Sequence, residues 1–372
     1  SLPRVTDPLR VSDAQPLDFP AGRTHSLWFD LDATGVKPGV HKGALKLTMA
    51  GGKTQSIPVS VEVAPWELPK ADVPFGYLGI APTYPGTKYL GITQRQVSEM
   101  RDSLKIIKDH GFTGITGGLG GPNFDGYKMG RPSIDVRKAD LSVSAIKDVF
   151  GPSIDVDSYL GLEISGLPST VSDEVIEEYK KTGKDVVRDV LTSVHEYSQM
   201  RGWPPIVQAI GDEPSGDDIA RVASLGRTYR DSGTGIKTSV YTSFGKMDDP
   251  AAVFAGTVDR LYLNYHTEAA IRGILDRGSE CALYNQVGRY RRGAYLFKVK
   301  KLGCRGMLRF AWSSVHADPW YDLDGRESDY AAVYTHMDGK LRLSVDFLRL
   351  RESVSDYRYL LKVEQLLATA PD

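Results

Sequence analysis

"IVQAIGDEPSGDDIARVASLGRTYR", residues 206–230, is the stretch whose reading decides the fold. Ile206–Gly211 is short and apolar with almost no alternation, which is how a strand covered on both faces reads. Asp212-Glu213-Pro214 breaks it, and Asp217–Arg230 then runs at helical period. A buried strand, an acidic turn and a helix make one βα unit of a parallel sheet.

The same alternation extends in both directions. Further strands read at Phe75–Ile80, Gly114–Thr116, Tyr159–Glu163, Lys237–Thr242, Arg260–Tyr265, Cys281–Asn285 and Gly306–Trp312. Helices fall between them, most clearly at Gln94–His110, Lys184–Met200 and Arg289–Leu302, with a last one at Val354–Ala368. The expected fold class is therefore α/β, a (β/α)8 TIM-type barrel over residues 75–372, closed by a C-terminal helix. An open doubly wound sheet is the alternative. Residues 1–66 differ in kind: Ser26–Leu31, Gly43–Met49 and Gln55–Val63 alternate apolar and polar residues, separated by Lys37-Pro38-Gly39 and Ala50-Gly51-Gly52-Lys53. They read as a small antiparallel β-sandwich module in front of the barrel. Residues 67–74, with their charges and prolines, read as the linker.

Composition narrows the function classes. Lys and Arg number 46 against 47 Asp and Glu, so there is no basic surplus to attract nucleic acid. No apolar run reaches the roughly 18 residues of a membrane span, and no leader precedes Ser1, so the chain reads as a mature fragment. Cys281 and Cys304 are too few for a disulfide framework and read as buried free thiols. The seven histidines form no His-x-His or His-Glu-x-x-His motif, so no metal and no cofactor are expected. The glycine-rich Thr116–Gly126 has neither dinucleotide nor P-loop spacing and reads as a flexible loop at the mouth.

Active sites of such barrels lie where the strands end. Asp212 and Glu213 close the fourth strand, and two adjacent carboxylates there carry a desolvation cost that needs a reason. They are the candidate catalytic pair; the bland alternative is a pair of loop acids ahead of a helix that Ser215 caps. Other strand ends offer Tyr241, then Asn264, Tyr265 and His266, then Asn285 and Gln286, then Trp312, with Asp318 and Trp320 following. These are hydroxyl donors, amides and stacking faces that suit a sugar. A retaining glycosidase of the two-carboxylate type holds its acids about 5–5.5 Å apart across the sugar, on different strands. The seventh strand here ends in Tyr284-Asn285-Gln286, without a carboxylate. A sequential pair with diverging side chains instead suits substrate assistance: one acid orients a 2-acetamido group, whose oxygen attacks, while its neighbour protonates the leaving oxygen.

At this point the chain resembles glycoside hydrolase family 123 and related β-N-acetylgalactosaminidases. The sequential Asp212-Glu213, "FAWSSVHADPWYD" (Phe310–Asp322) and "LSVDFLRLRESVSDYRYL" (Leu343–Leu360) carry the likeness, while "YAAVYTHMDGKLRLS" lacks an expected Tyr-Pro-Gly turn and marks a divergent branch. The resemblance implies a retaining, exo-acting enzyme whose partner is a glycan or glycoconjugate with terminal β-linked N-acetylgalactosamine. It implies a secreted, periplasmic or cytoplasmic bacterial setting. It gives Asp212 the acetamide, Glu213 the acid/base role, Tyr241 or Tyr265 a bond to the acetamide oxygen, and Trp312 the floor of the sugar subsite. Two other readings stay open: a two-carboxylate hydrolase using Asp318, Asp322 or Glu163 as its second acid, and a carbohydrate-binding barrel without catalysis.

Overall fold

The computed structural model describes residues 22, 27, 29–78, 94–115, 122–151, 162–164, 177, 182–242, 250–285, 294–314, 330–335 and 341–370. The chain divides into two units, one containing Lys70–Arg358 and the other Val11–Pro69 with Tyr359–Asp372.

In the second unit, β1 (Gly39–Thr48) and β2 (Thr54–Val63) form an antiparallel hairpin in continuous register from Gly39↔Val63 to Thr48↔Thr54. Ser26–Leu31, expected as a third strand, is not one at its described positions. The expected sandwich is thus represented by one hairpin, with no second sheet among the described residues of this unit. Trp66 lies edge-on to Tyr359, with Lys362 over its ring.

The first unit holds a parallel eight-stranded sheet. Its strands are β3 (Phe75–Tyr77), β4 (Gly114–Ile115), β7 (Leu162–Ile164), β8 (Ile206–Asp212), β9 (Lys237–Thr242), β10 (Arg260–Leu263), β11 (Glu280–Tyr284) and β12 (Met307–Arg309). Their order across the sheet is β4-β3-β12-β11-β10-β9-β8-β7. Seven adjacent pairs are parallel, and β12 pairs with β3 so that the last strand meets the first. This is the strand order of a (β/α)8 barrel; among the described residues no ladder joins β4 to β7. Inserted after β4 is a hairpin of β5 (Asn123–Lys128) and β6 (Arg131–Asp135), where the glycine-rich segment had promised only a loop.

Helices α1 (Gln94–Asp109), α2 (Arg137–Phe150), α3 (Gly183–Met200), α4 (Asp217–Asp231), α5 (Pro250–Phe254), α6 (Glu268–Asp276), α7 (Ala294–Lys301) and α8 (Val345–Ala368) separate or follow the strands. Opposed Gly76 and Gly114 let β3 and β4 approach: a Cβ on Gly76 would overlap the Gly114 carbonyl. Outside the sheet, Tyr77, Phe112, Trp312 and Phe347 pack ring against ring, joining β3 to the first half of α8. On the opposite face, Tyr241, Tyr262, Ala282, Tyr284 and Leu308 form one cluster with Leu78 and Ala209. Neighbouring strands lie about 4.8 Å apart. Rings on β9 and β11, two strands apart, nevertheless meet at 5.3 Å, so the sheet curls around this face. The linker does not swing free throughout: Ala71 and Val73 are buried, and Asp72 accepts from Tyr357 and pairs with Lys300.

Candidate functional site

The geometry starts with β8. It follows β9 in register from Val207↔Lys237 to Ala209↔Ser239, then slips by one residue to Gly211↔Val240 and Asp212↔Tyr241. Such an irregularity re-aims the side chains that follow it. Gly211 lets the layers pack closely here: a Cβ would lie 3.0 Å from Val222 on α4 and 3.2 Å from Val240, so those side chains would have to shift by a few tenths of an ångström. The chain then turns at Glu213, whose φ of 43° lies in the left-handed region that costs a non-glycine residue about 1–3 kcal/mol. Its N–H donates to the Tyr241 carbonyl at 2.8 Å, holding the turn. Asp212 therefore stays in strand register opposite Tyr241 while Glu213 is thrown out of it. The following helix α4 starts behind Gly216 without a side-chain cap, so the Ser215 cap is not formed.

Glu213 is met from across the curl. The Tyr284 hydroxyl, at the end of β11, donates to Glu213 Oε1 at 2.7 Å. Asn264, just past β10, acts on the same hydroxyl in the opposite sense, favouring loss of its proton. Burial, the hydrogen bond to Glu213 and the charges of Glu213 and Asp212 push the phenol far above its ordinary range, so Tyr284 stays protonated. Its ring stands edge-on to Tyr241 at 5.3 Å, and Tyr241 stacks on Tyr262 at 4.5 Å. The end of β11 thus meets the carboxyl group that follows β8, with Tyr241 of β9 beside both.

The sequence-chosen residues are placed unevenly. Asp212 is exposed and Glu213 half-buried. Tyr241 and Asn264 stand beside them as parts of the Tyr284 surround. Tyr265 is 64% exposed. Asn285, at φ 56°, accepts at Oδ1 from the Phe310 N–H at 2.9 Å and so clasps the chain after β12 to the end of β11. Trp312 is only 2% exposed: its indole N–H donates to Ser103 on α1 at 3.0 Å, and Tyr77 and Phe347 lie against its ring. A stacking floor needs an open ring face, and this ring is covered. Asp318 and Trp320 lie outside the described residues. Tyr284, which the sequence reading passed over, is the residue that ties the others together. Its sequence signal is position: the last residue of a strand, two on from Ala282 and so on the same face.

Chemically, the arrangement offers an exposed carboxylate, a second carboxyl with one oxygen occupied, and a neutral donor behind it. Burial pushes the His266 imidazole below its ordinary value, assisted by Lys298 and opposed by Glu268, which keeps it neutral. No helix of the described residues is long and apolar enough to cross a membrane. Among them no group of three or more His, Cys, Asp or Glu is placed to hold a metal.

No protein-family model matches the chain, and no curated protein does. Solved structures do. The Thermobacillus composti GH10 xylanase is 10% identical, with a TM-score of 0.41, covering 68% of this chain and 94% of that one. A GH2 beta-galacturonidase from Eisenbergiella tayi bound to galacturonate is 11% identical, with a TM-score of 0.40, covering 87% and 67%. A xylose isomerase-like TIM barrel protein from Mycobacterium smegmatis in complex with magnesium is 13% identical, with a TM-score of 0.37, covering 78% and 96%. At these values the likenesses carry no argument about activity, and the fold assignment rests on the chain's own parallel strands and helices.

Proposed function

We propose that this protein is a retaining glycoside hydrolase of the family 123 type that removes terminal β-linked N-acetylhexosamine, with N-acetylgalactosamine the first choice, by substrate-assisted catalysis. The observation that carries the reading is the sequential acid pair at the C-terminal end of β8. Asp212 keeps strand register while Glu213 is turned out of it by a left-handed residue. The two carboxyls thus serve different atoms of one sugar. Asp212 accepts the acetamide N–H and polarises the group, and the acetamide oxygen attacks the anomeric carbon. Glu213 gives its proton to the departing glycosidic oxygen. Glu213 then takes a proton from water as that water opens the cyclic intermediate, and the anomeric configuration is retained.

The test is a panel of 4-nitrophenyl β-glycosides presented with and without the 2-acetamido group. Cleavage of N-acetylgalactosaminide or N-acetylglucosaminide with the matching galactoside and glucoside untouched is the expected result. Equal cleavage of the 2-hydroxy sugars would move the assignment to a two-carboxylate enzyme, and no cleavage of any would remove it.

A further inference from the structure

We infer that Tyr284 is a positioning residue that fixes which oxygen of Glu213 carries the catalytic proton and stabilises the carboxylate left when that proton is gone. The inference rests on the acid/base role proposed for Glu213. It begins from proton counting. A tyrosine hydroxyl has one hydrogen and two acceptor positions. Its hydrogen goes to Glu213 Oε1 at 2.7 Å, so the phenol stands to this carboxyl as a donor.

Packing leaves the phenol little room to do anything else. Tyr284 is 5% exposed, with Tyr241 edge-on to its ring. With Oε1 occupied by a donor, the proton that Glu213 transfers sits on Oε2. Tyr284 keeps its own proton throughout: Glu213 Oε2–H breaks as the leaving oxygen gains that hydrogen, and the electron pair stays on the carboxylate. The Tyr284 hydrogen bond then becomes charge-assisted, and such bonds are shorter and roughly twice as strong as neutral ones. Tyr284 thus acts through Glu213 at the moment charge develops, which is where an interaction accelerates a reaction.

A purely structural tyrosine would not alter how Glu213 titrates, so the readout is that titration. The protein is labelled with carboxyl-13C glutamate and followed by NMR against pH, the Glu213 resonance being identified by its loss in E213Q. Tyr284→Phe is expected to raise the Glu213 midpoint by about one unit, because a donor to the charged form has been removed. An unmoved midpoint overturns the inference. Should Y284F fail to fold, 3-fluorotyrosine at position 284 takes its place: its more acidic phenol is the stronger donor to the charged form and should lower the Glu213 midpoint, and no movement overturns the inference equally. In activity, Y284F should lower kcat on poor leaving groups by about 10–100-fold with little change in KM, and carry the alkaline limb of the profile upward. A shifted NMR midpoint in a protein that cleaves no glycoside would sink the proposed activity and leave the Tyr284–Glu213 pairing in place.

Discussion

The two ends of the curled sheet each hold a carboxylate in very different company. At the N-terminal end, Glu280 receives Arg260 through Nε at 2.8 Å and Lys237 at 2.6 Å. Arg260 also reaches the Tyr262 hydroxyl at 3.4 Å and is buried, so the floor is an ion pair completed by a phenol. At the C-terminal end, Glu213 is met by a neutral tyrosine, with the acidic Asp212 beside it in sequence. The floor fixes charge with two cations; the mouth sets a carboxyl against a neutral donor. A group matched by two cations is held ionised, whereas one held by a neutral donor can still serve as an acid.

The largest expected contrast comes from removing the acid at the mouth. Glu213→Gln should cut turnover of poor leaving groups by about 10²–10⁴-fold while sparing activated aryl glycosides, because only the former need protonation. Equal losses on both classes would erase the distinction drawn for the mouth. Asp212→Asn should lower kcat by about 10²–10³-fold and change KM less, since polarisation matters as charge develops on the acetamide; a loss confined to KM would make Asp212 a simple binding group.

The floor should answer in stability instead. Glu280→Ala leaves the Arg260 guanidinium, with 4% of its side chain exposed, without this carboxylate. Removing one partner of a buried pair costs about 3–5 kcal/mol, and the lower figure applies here because Glu280 itself keeps 31% exposure. Urea unfolding measures it, and kcat per folded molecule should not move. Burial alone would raise the Glu280 carboxyl; the charges and hydrogen bonds of Arg260 and Lys237 outweigh it and hold the group below its ordinary 4.5. A depressed folded value means the contribution is present above the unfolded value and lost as pH falls through the folded one. Wild type should therefore lose stability below about pH 4.5 more steeply than Glu280→Gln, and parallel slopes would contradict the pairing. Smallest of all, Trp312→Phe forfeits one hydrogen bond to Ser103 and should cost about 1 kcal/mol with KM unchanged. A raised KM would reopen Trp312 as part of the sugar subsite.

The sequence made the repeating βα pattern visible because buried parallel strands are short apolar runs and their helices are amphipathic. Lys237–Thr242 is bounded identically in both readings, and β8 differs by one residue. What escaped it depends on contacts between distant residues. Helix α6 was not among the helices singled out, although Thr267 caps it by accepting from Ala270 N–H, because nine residues give a weak periodic signal. The β5–β6 hairpin was hidden by the glycines ahead of it. Trp312 was assigned to a strand end, but β12 stops at Arg309, and the chain beyond it turns the ring back onto α1 and α8. The slip in β8 register and the left-handed Glu213 leave no mark in composition. Without them, the adjacency of Asp212 and Glu213 was legible while the partner of Glu213 three strands away was not.

The most direct test of the central claim is whether the protein ever forms a covalent bond to the sugar. The chain is incubated with an activated 2-deoxy-2-fluoro-β-glycoside, and its intact mass is measured beside its inhibition by a thiazoline that imitates the cyclic intermediate. If the acetamide oxygen is the nucleophile, the mass stays that of the unmodified chain and the thiazoline inhibits competitively, bound at least about 10²-fold tighter than substrate. A stoichiometric sugar adduct on a carboxylate would contradict the account, because it would place the nucleophile in the protein.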